Sequence, residues 1–550
     1  MAAANIEGSG PGERLSAGAA ILLLLAVLLS LAPGMTTVPP IDRDEPRYTQ
    51  ATKQMMETGD YVRIRFQDAP RHKKPIGIHW LQAGAAQTVG DGAASPLWIY
   101  RIPSLAGALA AVLLAVWAAR AFLPLGPALV VGLIFGTTII LGVEARLAKT
   151  DAALLASILA AQGALARVWL SQRRSWAMPL VFWLALSAGV LIKGPIAPMV
   201  IGLTLLGLVA LQRDNWRVLL RLRPVTGLVI TAALCLPWYI AIYFATDGAF
   251  YAAAVGRDFL GKAATGQEGH WAPPLAHLAV FFAVAWPLSA FAVAAFWRIW
   301  RRREPVFVYC LAWVVPAWIV FELVPTKLPH YTLPMVPGVA IAVVAALGLA
   351  SPPRVLRILA GLMILAVPLG VVVAIPIGFV LFETPIPWIA VAVAALAAIA
   401  GLAGGLALIK GAPALAARVV APTVAAAAIA QSAVWGLALP ALEPVWVSPR
   451  LVATVQDLSP CEDPRVVSIG FNEPSMIFLS ATDTALEAPE PALTIAAQEC
   501  AIIASRQYWV EELEAAAKAR GLPLVAVGTV EGFNISKGHW LNLNLYTVQK

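Results

Sequence analysis

Apolar runs of about 17 to 25 residues begin near positions 15, 98, 122, 150, 176, 195, 225, 275, 306, 331, 354, 386 and 416. At about 1.5 Å of rise per residue, each can cross a hydrocarbon core of about 30 Å. The chain therefore reads as a polytopic helical membrane bundle of about thirteen spans. Composition supports this: 60% of residues are hydrophobic and only 13% charged, more apolar surface than a soluble fold can bury. The net charge of +8 does not point to nucleic acid. Its basic residues are spread through short links between runs, as membrane topology signals are. The first run, residues 16–31, follows Arg14 and reads as an uncleaved span, because Ala32-Pro33-Gly34 places proline where a cleavage site needs small residues.

The links predict an orientation. With the N-terminus cytoplasmic, Ser171-Gln172-Arg173-Arg174 and the Arg-bearing links at 213–223, 298–303, 354–357 and 410–418 all fall inside. The opposite side receives the first loop (about 36–95), Glu144 to Asp151, Lys193-Gly194-Pro195, residues 246–274, Lys327 to Tyr331 and Phe382-Glu383-Thr384. An odd span count puts the tail on that outer side too. The predicted organisation is a membrane domain over 1–442 and a small α/β domain over 443–550. In the tail, 465–470, 501–504, 522–530 and 541–548 read as strands and 510–519 as a helix. Cys235 and Cys310 lie in apolar runs and read as packing residues. Cys461 and Cys500 lie in the tail, where the sequence leaves a disulfide open.

Function is sought where charge is concentrated. The first outer loop carries Asp44-Glu45-Pro46-Arg47-Tyr48 and His72-Lys73-Lys74-Pro75. Other links on that side add Glu144, Arg146, Lys149, Asp151, Lys193, Arg257, Asp258, His270, Glu322, Lys327 and His330. Alone, each cluster reads equally as a solvated loop. Asp151 also suits the positive end of the helix it opens, and Lys327-Leu-Pro-His-Tyr331 suits a proline-rigidified helix entry in the interfacial aromatic belt. Together they predict one shared cavity at the outer face, because ionisable groups at span ends are costly and tend to mark sites.

These motifs, with Lys74-Pro75-Ile-Gly-Ile-His-Trp80, Arg146-Leu-Ala-Lys-Thr-Asp151 and Lys193-Gly194-Pro195, resemble those of the dolichyl- and undecaprenyl-phosphate sugar transferases. Within that family the chain is most similar to the bacterial aminoarabinose transferases of lipid A, a likeness covering essentially its whole length. The resemblance implies a GT-C membrane fold with a periplasmic C-terminal domain, in the bacterial inner membrane. It implies an inverting transfer of 4-amino-4-deoxy-L-arabinose from undecaprenyl phosphate to lipid A phosphates, giving resistance to cationic peptides such as polymyxin. It gives Asp44 as the catalytic carboxylate, with Arg47, Tyr48 and Lys74 near the lipid phosphate. Glu45, Asp151, Lys193, Lys327, His330 and Tyr331 join them as substrate-binding candidates. Asp44-Glu45 is not a D-x-D pair, and no obligatory metal or other cofactor is implied.

Residue chemistry agrees with such a reaction. As the sugar leaves, charge grows on the lipid phosphate, which Arg47, Lys74, Lys193 or Lys327 can offset, while Asp44 faces an oxocarbenium-like carbon or orients the acceptor. Glu45 or another carboxylate can pair with the ammonium of an aminosugar. A transferase with another acceptor, such as a protein hydroxyl, is the main rival. A lipid-linked sugar transporter or flippase should carry ionisable groups in mid-span, and these runs almost lack them. A subunit that merely binds anionic lipid accounts for the basic residues but not for the carboxylates.

Overall fold

The computed structural model describes residues 15–41, 44–171, 175–254, 256, 261, 272–299, 302–459, 461 and 463–549. The candidates Arg257, Asp258 and His270 and the Arg173-Arg174 link lie outside them. Every one of the apolar runs contains helix. Among the described residues eight helices are long and apolar enough to cross a membrane, and a ninth crossing is the pair Leu125–Gly136 and Ile139–Arg146, bent by 63°. Four shorter apolar helices of 12 to 17 residues account for the remaining runs. Apolarity continues where the helix does not. In the run near 275, Ala276–Val284 and Leu288–Ile299 are separate helices with Pro287 between them, since proline removes a backbone donor. At 137–138 two threonines interrupt the bent pair, each hydroxyl donating to a carbonyl of the preceding turn.

The helices approach closely through small side chains. A Cβ on Gly107 would come within 2.8 Å of the Ala153 backbone, so Leu97–Ala119 and Asp151–Leu170 pack nearly backbone to backbone. The core around them is dominated by Ala, Val and Leu.

The first outer loop contains two helices, Asp44–Thr58 and Gly77–Val89, joined through a short hairpin of β1 (Arg65–Phe66) and β2 (Ala69–Pro70). Asp44–Thr58 opens with Asp44, Glu45 and Pro46, the acidic and proline residues that suit a helix start.

The tail forms a five-stranded sheet of β3 (Arg465–Ile469), β4 (Ala485–Leu486), β5 (Ala501–Arg506), β6 (Leu524–Asn534) and β7 (His539–Val548), in the order β4-β3-β5-β7-β6. β3 is parallel to β4 and β5, whereas β7 is antiparallel to β5 and β6. Alternate residues face opposite layers. Val466, Ile502 and Ala504 pack toward Val447–Leu458 and Pro474–Leu479, while Val467, Ile469 and Ile503 pack toward Pro489–Gln498 and Val510–Ala519. A disulfide joins Cys461 to Cys500, and Cys235 and Cys310 are buried free thiols.

The sheet sits against the first outer loop. Gln50 Nε2 donates to Thr482 Oγ1 at 2.7 Å, Gln67 Nε2 donates to the carbonyls of Thr482 and Thr484 at 3.0 and 2.7 Å, and Tyr100 meets Phe478 edge-on at 5.6 Å. Phe382, at the end of a span, contacts Phe533 and Trp540 at 5.2 and 6.0 Å.

Candidate active site

A cavity of about 1100 Å³ lies where the first outer loop, several span ends and the tail domain meet. Helix periodicity explains what Asp44–Thr58 gives it. Asp44, Arg47 and Tyr48 stand at i, i+3 and i+4, so they share a face, and all three line the cavity. Glu45 points elsewhere.

Glu45 is bound by four donors. Arg101 grips it in a fork, Nε to Oε1 at 2.8 Å and one terminal guanidinium nitrogen to Oε2 at 2.9 Å, and the backbone N–H groups of Ala148 and Ile41 complete the two oxygens at 2.9 and 3.1 Å. Both side chains are 1% exposed. Arg101 also donates to the carbonyls of Met35, Val38 and Pro39, tying the loop entrance to the span that carries it. With its acceptor capacity filled, Glu45 is a structural clamp and not a substrate contact. It holds Asp44 at the cavity by fixing the first turn.

A second group comes from span ends. Lys149 donates to Glu144 at 2.9 Å and lies 4.0 Å from Asp151, whose other oxygen accepts from Lys193 at 2.6 Å. The His330 ring stands between the two carboxylates, with Nδ1 3.9 Å from Glu144 and Nε2 3.9 Å from Asp151. Burial opposes the charge on Lys149, but Glu144 and Asp151 outweigh it and hold the ammonium above the ordinary lysine value. Burial likewise raises the Tyr48 hydroxyl well above the tyrosine range, so it remains protonated, and it shares a hydrogen bond with Thr150. Arg146, by contrast, is a structural latch: its guanidinium donates to the carbonyls of Pro33, Gly142 and Ser30.

Of the ten candidates, the cavity gathers eight: Asp44, Arg47, Tyr48, Lys74, Asp151, Lys193, His330 and Tyr331. Glu45 is excluded by its clamp. Lys327 is excluded because its ammonium donates to the carbonyls of Ala272 and Val324 at 3.0 and 2.9 Å, closing the end of Pro305–Leu323. The sequence reading also missed lining residues. Lys73 belongs to the basic run already singled out and Arg71 immediately precedes it, whereas Asn472, Glu473, Ser536 and Lys537 come from the tail, where nothing in the sequence marks them. In all, seven lysines and arginines face three carboxylates across the cavity, and Leu154, Ile196, Met199, Val320, Phe321 and Val324 supply an apolar wall. The arrangement suits an amphipathic anion: a phosphate among the cations and a hydrocarbon chain along the wall.

Comparison with solved structures decides the architecture. The crystal structure of ArnT from Cupriavidus metallidurans in the apo state matches 96% of this chain and 98% of its own, with a TM-score of 0.73 at 16% identity. The chain has the fold of that crystal structure. The undecaprenyl phosphate-bound structure of that protein matches with a TM-score of 0.71 at 17% identity. Residues 45–250 match the family model described as dolichyl-phosphate-mannose-protein mannosyltransferase. Two similar curated proteins are named undecaprenyl phosphate-alpha-4-amino-4-deoxy-L-arabinose arabinosyl transferase. The one from Enterobacter sp. (strain 638) is 26% identical over 57% of each chain, and that from Aeromonas salmonicida (strain A449) 29% identical over 53% of each. The alignments thus span a little over half the length of these relatives.

Proposed function

We propose that this protein is an inverting lipid-linked glycosyltransferase that moves 4-amino-4-deoxy-L-arabinose from undecaprenyl phosphate to lipid A phosphate groups. The site belongs at the periplasmic face of the bacterial inner membrane, and the product confers resistance to cationic antimicrobial peptides such as polymyxin. One observation carries the reading: a cavity with a surplus of cations, an apolar wall and a carboxylate at the start of an outer-loop helix. The relatives' names give the sugar and its carrier. The disulfide in the tail suits an oxidising compartment, and the Arg-rich links favour the cytoplasm for the opposite side.

In this mechanism Arg47, Lys74 and Lys193, with Arg71 and Lys149 nearby, offset the charge that builds on the departing lipid phosphate. Tyr48 and Tyr331 donate or pack at the same wall. Asp44 faces the positive anomeric carbon and orients the incoming oxygen. A lipid A phosphate with a second pKa of about 6 is already ionised at neutral pH and needs no strong base. Direct attack inverts the anomeric centre.

The match to the mannosyltransferase model favours one other reading, transfer to a hydroxyl acceptor with Asp44 taking its proton. Mass spectra of lipid A from cells with and without this chain separate the two. A mass increment of one aminopentose residue, present only with the native chain, is the outcome expected. Unmodified lipid A together with a glycosylated protein would instead favour the hydroxyl acceptor.

A further inference from the structure

Resting on the transferase reading above, we propose that Glu473, in the tail domain, recognises the cationic amine of the transferred sugar. The tail domain then sets donor specificity besides covering the site.

The other two carboxylates of the cavity are placed differently. Asp151 is held by Lys193 and approached by Lys149 and His330. Asp44 stands at the exposed start of its helix on the same face as Arg47. Glu473 differs from both. It is 5% exposed, and its side-chain partner is a neutral amide: Asn534 Nδ2 donates to Oε1 at 2.7 Å. None of the ion pairs among the described residues includes it, although Lys537 lines the same wall. A carboxylate so buried and backed by one neutral donor is under-compensated, and a cation arriving in the cavity relieves that cost.

The group is also held still. Asn534 ends β6, and its Oδ1 accepts the N–H of Lys537 at 3.1 Å, which fixes the amide so that its NH₂ faces Glu473. Glu473 lines both the main cavity and a neighbouring one of about 310 Å³, so it stands at their junction. A primary ammonium brings three donors and a full charge to such a carboxylate, whereas a hydroxyl brings one donor and no charge. An aminosugar is thereby told apart from the neutral sugar of the same shape.

The test uses the full-length protein in proteoliposomes with two synthetic donors, undecaprenyl-phosphate aminoarabinose and the same lipid-linked pentose with hydroxyl in place of the amine. The readout is the ratio of kcat/KM for the amino over the hydroxy donor, which is insensitive to the folded fraction of a preparation. Glu473→Gln, which keeps the shape and removes the charge, is expected to lower that ratio about 10- to 100-fold. Should that variant yield no protein, Asn534→Ala, which frees the carboxylate from its anchor, is expected to lower the ratio in the same direction. A ratio unchanged from native, even with both rates reduced, overturns the inference and leaves the transferase reading standing. A native protein inactive with both donors overturns that reading and the inference with it.

Discussion

At the scale of single residues, two neighbouring carboxylates have opposite fates. Asp44 is exposed at the cavity and Glu45 is clamped by Arg101. Asp44→Asn should therefore lower transfer by about 10²-fold or more while thermal melting stays near native, because charge is lost only where the transition state forms. Glu45→Gln should act in the other direction, lowering stability by about 3–5 kcal/mol and the yield of folded protein, since it leaves Arg101 buried without its counter-ion. Melting curves in detergent beside turnover decide both, and a stable but inactive Glu45→Gln would reverse the assignment. At the cation-rich wall of the cavity, Lys74→Ala and Arg47→Ala should raise the donor KM. Arg47→Lys should restore it only in part, because an ammonium cannot reproduce a two-pronged contact. An unchanged KM in both alanine variants would return these residues to an ordinary solvated loop. The sequence made Asp44, Arg47 and Tyr48 readable as a group because they lie within five residues of one another in a charged loop of an otherwise apolar chain. It did not reveal the clamp, because Arg101 lies within an apolar run with nothing nearby to announce its partner.

Among elements, the helices of the first outer loop depend on a buried polar relay. His79 Nδ1 lies 2.8 Å from Thr52 Oγ1, which donates to Gln82 Oε1 at 2.7 Å, and Gln82 Nε2 donates to the Ala148 carbonyl at 3.0 Å. Since Thr52 has one hydrogen and gives it to Gln82, His79 is the donor through Nδ1. Burial, with Arg71 adding to it, pulls His79 down to about 3. The unfolded chain, with an ordinary value of about 6.5, binds this proton first, so stability is present above about pH 6.5 and is lost as pH falls toward 3. By pH 5 the loss should be about 2 kcal/mol. The melting temperature of the native protein should fall between pH 7 and 5, and His79→Gln should flatten that slope; equal slopes would remove His79 as the cause. Neither loop helix was legible as an element. Asp44–Thr58 has few strongly apolar side chains, and its buried Gln50 and Gln54 look like surface residues until Thr482 of the tail domain and the Gln67 carbonyl of the loop's own hairpin supply their partners. The two-residue β4 was missed, whereas the other four strands of the tail were readable; both faces of the sheet are covered, which writes continuous apolar runs into β3 and β5.

At the scale of the whole molecule, every apolar run read from the sequence contains an apolar helix among the described residues, and apolarity persists through breaks such as Pro287 and Thr137-Thr138. Orientation is open to direct measurement. The native cysteines are either buried or joined in the disulfide, so engineered ones report alone. Ala69→Cys and Glu512→Cys, both at exposed positions, should react with an impermeant maleimide in intact spheroplasts, and exposed Arg217→Cys only after lysis. Labelling of the first two on opposite sides of the membrane would separate the elements that the cavity joins. The disulfide closes a loop of 39 residues, and Cys461→Ser with Cys500→Ser should cost about 2–4 kcal/mol, read as a lower melting temperature. The tail's share of the cavity wall bears on biosynthesis as well. A ribosome threads every apolar helix into the bilayer before it reaches residues 472–537, so for that interval the nascent chain holds Gln50, Gln67 and the cation cluster open to water. Insertion and completion of the cavity are therefore separate events in its manufacture.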